Sequence, residues 1–280
     1  MSYVERSTSR RDTTGELLLS IHRLTKEYRP LGPMRVQRLF ARLGGLQVDG
    51  MLADDVGDDD DDEDEVAEDE VVARTATRRH AINRISLKAY GGSRVALVGP
   101  EGAGKTLLLK LIAGIVPPTQ GRIVVRGLVA PALTVLARSL PGKGQTLPSA
   151  ITHVASVAGI PPGTVRSRLG EIADFLEVPR LKGMTTASLD RRRREDVILA
   201  SMLCVDPDVV LLDIPLPRNE FGERCRARLA RLTAGGSLVV VEARDVRKAT
   251  LEPDRVVQLD AGRVVSDEPY TRGIAAPPGR

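Results

Sequence analysis

The 280-residue chain contains no tryptophan, three phenylalanines and four tyrosines. Surfaces that bind single-stranded nucleic acid stack bases on aromatic side chains, so this shortage argues against such a surface. The two cysteines, Cys204 and Cys225, cannot build a disulfide framework. The chain also lacks the uninterrupted apolar run of about 18 residues that crosses a bilayer. We expect a cytoplasmic protein with reduced thiols that does not itself span a membrane.

The formal net charge of +4 combines two regions of opposite sign. Residues 54–70 contain thirteen acidic residues and no basic one, and removing these negative charges leaves +17 on the other residues. Such a segment cannot bury enough apolar surface to fold, so residues 50–75 are predicted to form a disordered acidic insert. The insert either only increases solubility or shields the basic body until an anionic membrane or partner displaces it. A basic body by itself fits nucleic acid, anionic lipid or bound phosphate.

From residue 81 onward, short apolar segments alternate with helical ones, which predicts an α/β fold. Several apolar segments are continuous runs of Val, Ile and Leu, typical of strands buried on both faces of a largely parallel sheet. The predicted strands are 84–90, 94–99, 122–127, 208–213, 237–243 and 255–260, after an opening strand within 15–28. The predicted helical stretches include 106–115 and 162–178, the second inside a helix-rich segment at 147–194. We predict one domain over 15–265, with a flexible N-terminus at 1–14 and a C-terminal tail at 266–280.

The clearest motif fits the pattern GxxxxGK[ST] in full and lies between a predicted strand and a predicted helix. It consists of Gly99, Pro100, Glu101, Gly102, Ala103, Gly104, Lys105 and Thr106. Its glycines let backbone N–H groups approach phosphates, and the helix N-terminus adds its positive dipole end. Lys105 is predicted to neutralise the β- and γ-phosphates of ATP, and Thr106 to ligate Mg²⁺. The competing interpretation, a chance match on a glycine-rich turn, is disfavoured by the flanking strand and helix.

A second group is needed for the metal, and the apolar segment 208–212 ends in Asp213. A carboxylate at this position is predicted to hold Mg²⁺ directly or through water. The alternative is an acidic residue that ends a strand and has no ligand role.

The loop at 99–106, followed after roughly a hundred residues by the segment 199–213, resembles the ATP-binding subunits of ABC transporters. The resemblance covers about 18–265 apart from the acidic insert. It implies a P-loop NTPase fold with a mixed sheet and a helical subdomain at 147–194, with ATP and Mg²⁺ as ligands. It also implies a homo- or heterodimer of ATP-binding subunits, docked on an integral-membrane permease at the cytoplasmic face, and no nucleic acid. Segments 121–133 and 216–232 are most similar to the polysaccharide-export branch, which handles capsule, O-antigen and teichoic acid precursors.

Several positions depart from the family's motifs. The family places a glutamate that orients or activates the attacking water after the metal carboxylate, where this chain has Ile214. Loss of a positioned base costs on the order of 10²- to 10⁴-fold in rate. The family's switch histidine, in a V-S-H-D run, aligns with Arg244 in the run EARD. Arg244 is either a fixed cation for the γ-phosphate or an ordinary surface arginine.

The family's signature segment, L-S-G-G-Q, aligns with residues 189–193, where both glycines are missing. Asp190 would direct a negative charge toward a phosphate, while the following arginines either attract the phosphate or form a solvated helix start. The expected Gln or Glu after the strand at 122–127 aligns with Thr134. Tyr28 matches the family's adenine-stacking aromatic, and an ordinary half-exposed tyrosine is the alternative.

These residues predict a subunit that binds Mg·ATP and hydrolyses it poorly, because affinity depends on the loop whereas rate depends on groups directed at the transition state. A second hypothesis is a non-transport regulatory or assembly protein that uses ATP occupancy as a conformational signal. A third, a nucleic-acid-associated ATPase of this type, is disfavoured because such proteins typically carry two cassettes or a long coiled-coil insert.

Overall fold

The computed structural model describes residues 4–7, 13–28, 79–141, 145–246 and 251–270. The chain divides into two compact units, residues 1–26 with 81–280 and residues 27–80. The predicted acidic insert at 50–75 lies outside the described residues. In the second unit, His80 Nε2 lies 3.1 Å from a carboxylate oxygen of Glu27.

The described residues contain ten strands in two sheets. In chain order the strands are β1 (Val4–Ser7), β2 (Leu17–Tyr28), β3 (Arg79–Tyr90), β4 (Arg94–Val98), β5 (Gln120–Arg126), β6 (Val129–Ala132), β7 (Val209–Leu212), β8 (Leu238–Glu242), β9 (Arg255–Asp260) and β10 (Arg263–Pro269). The larger sheet has the order β10-β9-β4-β8-β7-β6, with β10 antiparallel to β9 and the other neighbours parallel. The smaller sheet has the order β1-β5-β2-β3. The predicted α/β class with a mixed sheet is therefore confirmed.

Seven α-helices are described in the same residues. They are α1 (Lys105–Ile112), α2 (Thr134–Arg138), α3 (Leu147–Val157), α4 (Pro162–Arg166), α5 (Leu169–Phe175), α6 (Arg191–Leu203) and α7 (Glu220–Ala234), with a 3₁₀ turn at Thr186–Ser188. The segment 147–194 is rich in helix as predicted, but α6 continues beyond it to Leu203. The helical stretch predicted at 162–178 is divided, because Arg168 between α4 and α5 has φ −108 and ψ 3. Among these helices none is long and apolar enough to cross a membrane.

Two of the predicted strands, 84–90 and 122–127, correspond to parts of β3 and β5 and lie in the smaller sheet, not in the larger, mostly parallel one. Buried and exposed residues alternate along 84–90, which is typical of a sheet with one face open to solvent. The pairing of β5 with β2 is antiparallel, in agreement with that pattern.

The ends of the domain also differ from the prediction. Val4–Ser7, expected to be flexible, pairs in parallel with β5 as strand β1. The predicted tail from residue 266 begins inside β10, which continues to Pro269. Strand pairing thus involves residues at both ends that lay outside the predicted domain.

The central strands of the larger sheet are buried on both faces. In β8, Val239 and Val241 belong to the apolar cluster on the side of helices α2–α7, while Leu238 and Val240 belong to the cluster on the side of α1. Successive side chains of a strand point to opposite faces. Glu242, the next residue of this alternation after Val240, therefore lies on the α1 side of the sheet, at its carboxyl-terminal edge.

Candidate nucleotide site

The loop between β4 and α1 is held by glycines that perform different tasks. Gly99 has φ 147, and a Cβ there would lie 2.1 Å from the carbonyl oxygen of Leu259 in β9. Gly102 has φ 74, and a Cβ there would meet nothing within 4 Å. Gly99 thus lets the loop pack against the sheet, whereas Gly102 supplies a left-handed backbone beside open space. The open side of the loop is where a phosphate would have to enter.

Lys105, the first residue of α1, folds back over this loop. Its Nζ donates hydrogen bonds to the carbonyl oxygens of Gly99 at 2.9 Å and Pro100 at 2.7 Å, and the residue is 7% exposed. The N-terminus of α1 carries no side-chain cap and no acidic residue in its first turn. A buried cation and a helix N-terminus without a capping side chain together form an environment suited to an anion.

Thr106, the second residue of α1, contacts a carboxylate of strand β8. Its hydroxyl donates a hydrogen bond of 2.7 Å to Glu242 Oε2, and the other carboxylate oxygen of Glu242 lies 3.9 Å from Lys105 Nζ. Glu242 pairs in register with Leu97 of β4, two residues before the loop begins. The parallel pairing of β4 and β8 therefore brings an acidic group to the two residues for which the motif predicts phosphate and metal contacts.

Asp213 follows β7 at the same edge of the sheet. Its Oδ1 accepts hydrogen bonds from the backbone N–H of Thr134 at 2.6 Å and from the Thr134 hydroxyl at 3.0 Å. Burial raises the pKa of Asp213 to about 6, and the negative charge of Glu242 raises it further, whereas the Thr134 hydrogen bonds lower it. Asp213 and Glu242 are thus electrostatically coupled, and Thr134 fixes the orientation of Asp213 at the start of α2.

These oxygen groups fit a magnesium ion. Mg²⁺ prefers oxygen ligands and usually takes one or two carboxylates together with substrate phosphates and water. The Thr106 hydroxyl, the Glu242 carboxylate and the Asp213 carboxylate supply such oxygens, and a cation would relieve the repulsion that helps to raise the Asp213 pKa. Within the described residues no group of three or more His, Cys, Asp or Glu side chains could hold a metal on its own. Phosphate oxygens would therefore have to complete the coordination.

Ile214 lies next to Asp213 but belongs to the protein interior. It is 1% exposed and is part of the apolar cluster on the side of helices α2–α7. A glutamate side chain here would have to enter that cluster or displace the chain around it, because an isolated buried carboxylate is costly. An isoleucine at this position therefore matches its apolar surroundings.

Arg244 is exposed and is paired with the loop. Its guanidinium donates a hydrogen bond of 3.1 Å to a carboxylate oxygen of Glu101, and the two side chains are 69% and 86% exposed. The structure thus places the Arg244 guanidinium beside the phosphate loop. Its alignment with the family's histidine stays a prediction. An ion pair with this much exposure contributes about 0 to 1 kcal/mol to stability.

The segment aligned with the signature motif forms the start of α6. Asp190 is the N-cap residue, and its side chain accepts a hydrogen bond of 2.7 Å from the backbone N–H of Arg193. The carboxylate thus accepts a hydrogen bond from one of the backbone amides that a phosphate at the helix N-terminus would need. The position predicted to carry a negative charge is thus also a structural cap.

The arginines after Asp190 are used mainly within the chain. Arg194 donates to the carbonyl oxygens of Leu189, Leu140 and Thr186, and Arg192 pairs with the buried Glu195 and Asp196. A cavity of about 300 Å³ lies beside this helix, lined by Thr134, Ala137, Arg138, Arg191, Arg194 and Glu195. The run is therefore not simply a solvated helix start.

Tyr28, predicted to stack on adenine, is the last residue of β2 and belongs to the second compact unit, residues 27–80. It is 48% exposed, and partial burial raises the pKa of its phenol. The stacking role stays a prediction.

The carboxyl-terminal edge of the larger sheet brings together Lys105, Thr106, Asp213 and Thr134, which the sequence had suggested separately. The motifs of the resembling family do not predict a site residue at Glu242. The available signal was its place at the end of a continuous apolar strand, since ligands of open α/β sheets bind outside the carboxyl ends of the strands.

Comparison with known proteins identifies chains of similar sequence and fold. Residues 82–216 match the family model described as ABC transporter. The chain is 33% identical over 214 residues to a putative ABC transporter ATP-binding protein of Streptomyces avermitilis, covering 72% of this chain and 37% of that protein. It is 30% identical over 195 residues to the sulfate/thiosulfate import ATP-binding protein of Thermosynechococcus vestitus, covering 66% of this chain and 58% of that protein. The chain thus spans only 37% to 58% of the length of these curated relatives.

A solved structure of a dimeric ATP-binding cassette in a post-hydrolysis state, bound to ADP and Pi, is similar in fold. The TM-score is 0.61 at 18% identity, and the likeness covers 90% of this chain and 98% of that one. At this identity the likeness shows the fold alone, which is that of an ABC ATPase cassette. Residues 82–216 thus match the ABC transporter family model, and the described fold is that of an ABC ATPase cassette.

Proposed function

We propose that this chain is the ATP-binding subunit of an ABC transporter and that it binds Mg·ATP at residues 99–106. The observation that carries the proposal is the arrangement of Lys105 over the glycine loop with Thr106 beside a carboxylate. The triphosphate would contact Lys105 and the N-terminus of α1, while Thr106 and the nearby carboxylates would hold the metal. The metal would neutralise the charge of the phosphates when bound.

We further propose that hydrolysis by this chain is slow. Ile214 cannot accept a proton, and its burial leaves no position there for a carboxylate that positions water. The N-terminus of α6 is capped by Asp190, so it offers a phosphate fewer free amides than an uncapped helix start. Binding would survive these changes because the loop supplies most of the affinity, whereas turnover depends on groups directed at the transition state.

The proposed assembly is a homo- or heterodimer of ATP-binding subunits on a membrane permease, at the cytoplasmic face. The solved structure of similar fold is dimeric. We retain polysaccharide or lipid-linked glycan export as the proposed cargo class on the sequence segments 121–133 and 216–232 alone. The relative from Thermosynechococcus vestitus carries a sulfate/thiosulfate import name, so it gives no support to that class. Purification of the tagged chain from its native membrane, with identification of any bound permease, tests the assembly.

The binding proposal is tested by calorimetric titration of the purified chain with ATP in the presence of Mg²⁺. Lys105→Ala removes the buried cation of the loop and should abolish measurable binding. A matched control is Lys182→Ala, which removes an exposed lysine outside the loop. Equal ATP affinity in the wild type and Lys105→Ala would contradict the assignment of the loop.

Slow hydrolysis is tested by steady-state phosphate release from the same preparations. We expect bound ATP with turnover about 10²- to 10⁴-fold below that of an ABC subunit with an intact base. Phosphate release at the rate of such a subunit, absent in Lys105→Ala, would overturn this part while leaving the binding site intact.

A non-transport regulatory protein that uses ATP occupancy as a signal is the second candidate. The buried Ile214 and the capped α6 favour it, because both are compatible with binding and not with fast turnover. A stable complex with a soluble partner that forms only with ATP, and no association with a permease, would select this function.

A further inference from the structure

The residue that contacts Thr106 does not come from the motifs that predicted the site. Glu242 occupies the position of the apolar residue that begins the V-S-H-D run of the resembling family. It is the next residue after Val240 on the α1 face of β8, and Val240 belongs to the apolar cluster on that face. A glutamate at the end of this strand is therefore a feature of this chain rather than of the motif.

The contacts of Glu242 are those of a charge directed into the site. One oxygen accepts the Thr106 proton at 2.7 Å, the other lies 3.9 Å from Lys105 Nζ, and its side chain is 20% exposed. With its proton donated to Glu242, the Thr106 hydroxyl keeps its oxygen lone pairs free for a cation. Glu242 thus orients the hydroxyl and adds a carboxylate beside it.

The same carboxylate opposes a bare triphosphate. Without nucleotide it balances the charge of Lys105, and Asp213 adds a second negative charge nearby. When phosphates approach Lys105, like charges at short range in a partly buried site repel each other strongly. A divalent cation between the carboxylates and the phosphates converts this repulsion into attraction, because Mg²⁺ binds oxygens of both kinds.

We propose that Glu242, together with Thr106, holds the divalent cation and makes nucleotide binding by this chain dependent on that cation. This inference rests on the proposed nucleotide function. The glutamate has two effects of opposite sign on affinity. It strengthens the binding of the metal complex and weakens the binding of metal-free ATP.

The test compares the Kd for ATP in Mg²⁺ with the Kd in EDTA, by calorimetry on the full chain. Glu242→Gln keeps the size and an oxygen that accepts from Thr106 but removes the charge. We expect tighter binding in EDTA and weaker binding in Mg²⁺, so the ratio of the Kd in EDTA to the Kd in Mg²⁺ should be at least about tenfold smaller than in the wild type. Glu268→Gln, the same charge change on the exposed edge strand β10, should keep the wild-type ratio.

Mn²⁺ binding supplies a readout independent of nucleotide affinity. At a fixed, saturating ATP concentration, electron paramagnetic resonance should detect weaker Mn²⁺ binding by Glu242→Gln than by the wild type. Glu242→Ala is a second variant without the charge, for the case in which the glutamine amide of Glu242→Gln disturbs the loop. Provided that its circular dichroism is native, it should show the same changes. A wild-type Kd ratio in both folded variants overturns the inference, whereas absence of ATP binding by the wild type in either buffer overturns the proposed function on which it rests.

Discussion

At neutral pH the negative charge of Asp213 lowers the stability of the folded protein. Burial and the charge of Glu242 raise its pKa from 3.8 to about 6, so the folded state binds a proton more tightly than the unfolded state does. Its contribution to stability is fully present below the unfolded pKa and is lost as the pH rises through the folded pKa. The change from 3.8 to about 6 corresponds to about 3 kcal/mol.

Asp213→Asn should therefore stabilise the nucleotide-free protein, and more so at pH 8 than at pH 4.5. The amide oxygen still accepts from Thr134, while the buried charge is removed. The gain in the free energy of unfolding at pH 8 should exceed that at pH 4.5 by about 2 kcal/mol, measured by urea unfolding without metal. Asp174→Asn, an exposed change on α5, serves as the control. A gain independent of pH would show that the charge of Asp213 is not the cause.

Residues of the phosphate loop could be predicted individually because every constraint on them is local. The pattern from Gly99 to Thr106 specifies where glycines stand, and Gly99, Gly102 and Gly104 all have positive φ. Glu242 could not be predicted in this way, since its contact with Thr106 depends on the register of β8 against β4. The burial of Ile214 likewise follows from packing against distant helices, which its neighbours in sequence do not reveal.

At the scale of elements, α6 begins under unfavourable electrostatics that its cap offsets. Arg191 to Arg194 fill the first turn, where positive side chains oppose the helix dipole. Asp190 supplies both a hydrogen bond to Arg193 N–H and a negative charge at this end. The cap therefore stabilises this helix more than it would stabilise a helix that starts with acidic residues.

Asp190→Ala should lower the free energy of unfolding by about 1 to 2 kcal/mol, the upper part of the range for N-caps. Asp190→Asn keeps the hydrogen bond and loses only the charge, so its loss should be about half as large or less. Chemical unfolding of both variants checks the order. Equal stability of Asp190→Ala and the wild type would mean that the arginines themselves hold the start of α6.

The elements were predictable in type but not in their assignment to sheets. Continuous apolar runs such as Val209–Leu212 identified strands buried on both faces. The alternation along 84–90 carried information about a second, half-exposed sheet, yet a list of strands does not contain the pairing that separates the two sheets. The division of 162–178 at Arg168 depends on one residue outside the helical region of the backbone, and such boundaries are the least predictable part of a helix.

At the scale of the whole molecule, both cysteines report on the core. Cys204 and Cys225 are fully buried in the cluster on the side of helices α2–α7. Burial raises the pKa of each thiol to about 12, which suppresses the reactive thiolate. With no other cysteine in the chain, thiol labelling measures how often this core opens.

The thiols should therefore react slowly with a disulfide reagent in native buffer. In urea the reagent should label two thiols per chain. If ATP binds the loop on the opposite face of the same sheet, it stabilises the closed molecule by about 2.7 kcal/mol at a concentration of 100 Kd, which slows labelling about 100-fold when opening is global. Lys105→Ala should label at a rate that ATP does not change, and Cys204→Ser and Cys225→Ser assign the two signals. Rapid labelling of the wild type in native buffer would contradict the packing of this core. Protection by ATP confined to one thiol would show instead that the helices around the other open independently of the nucleotide site, because a ligand stabilises only what must close for it to bind.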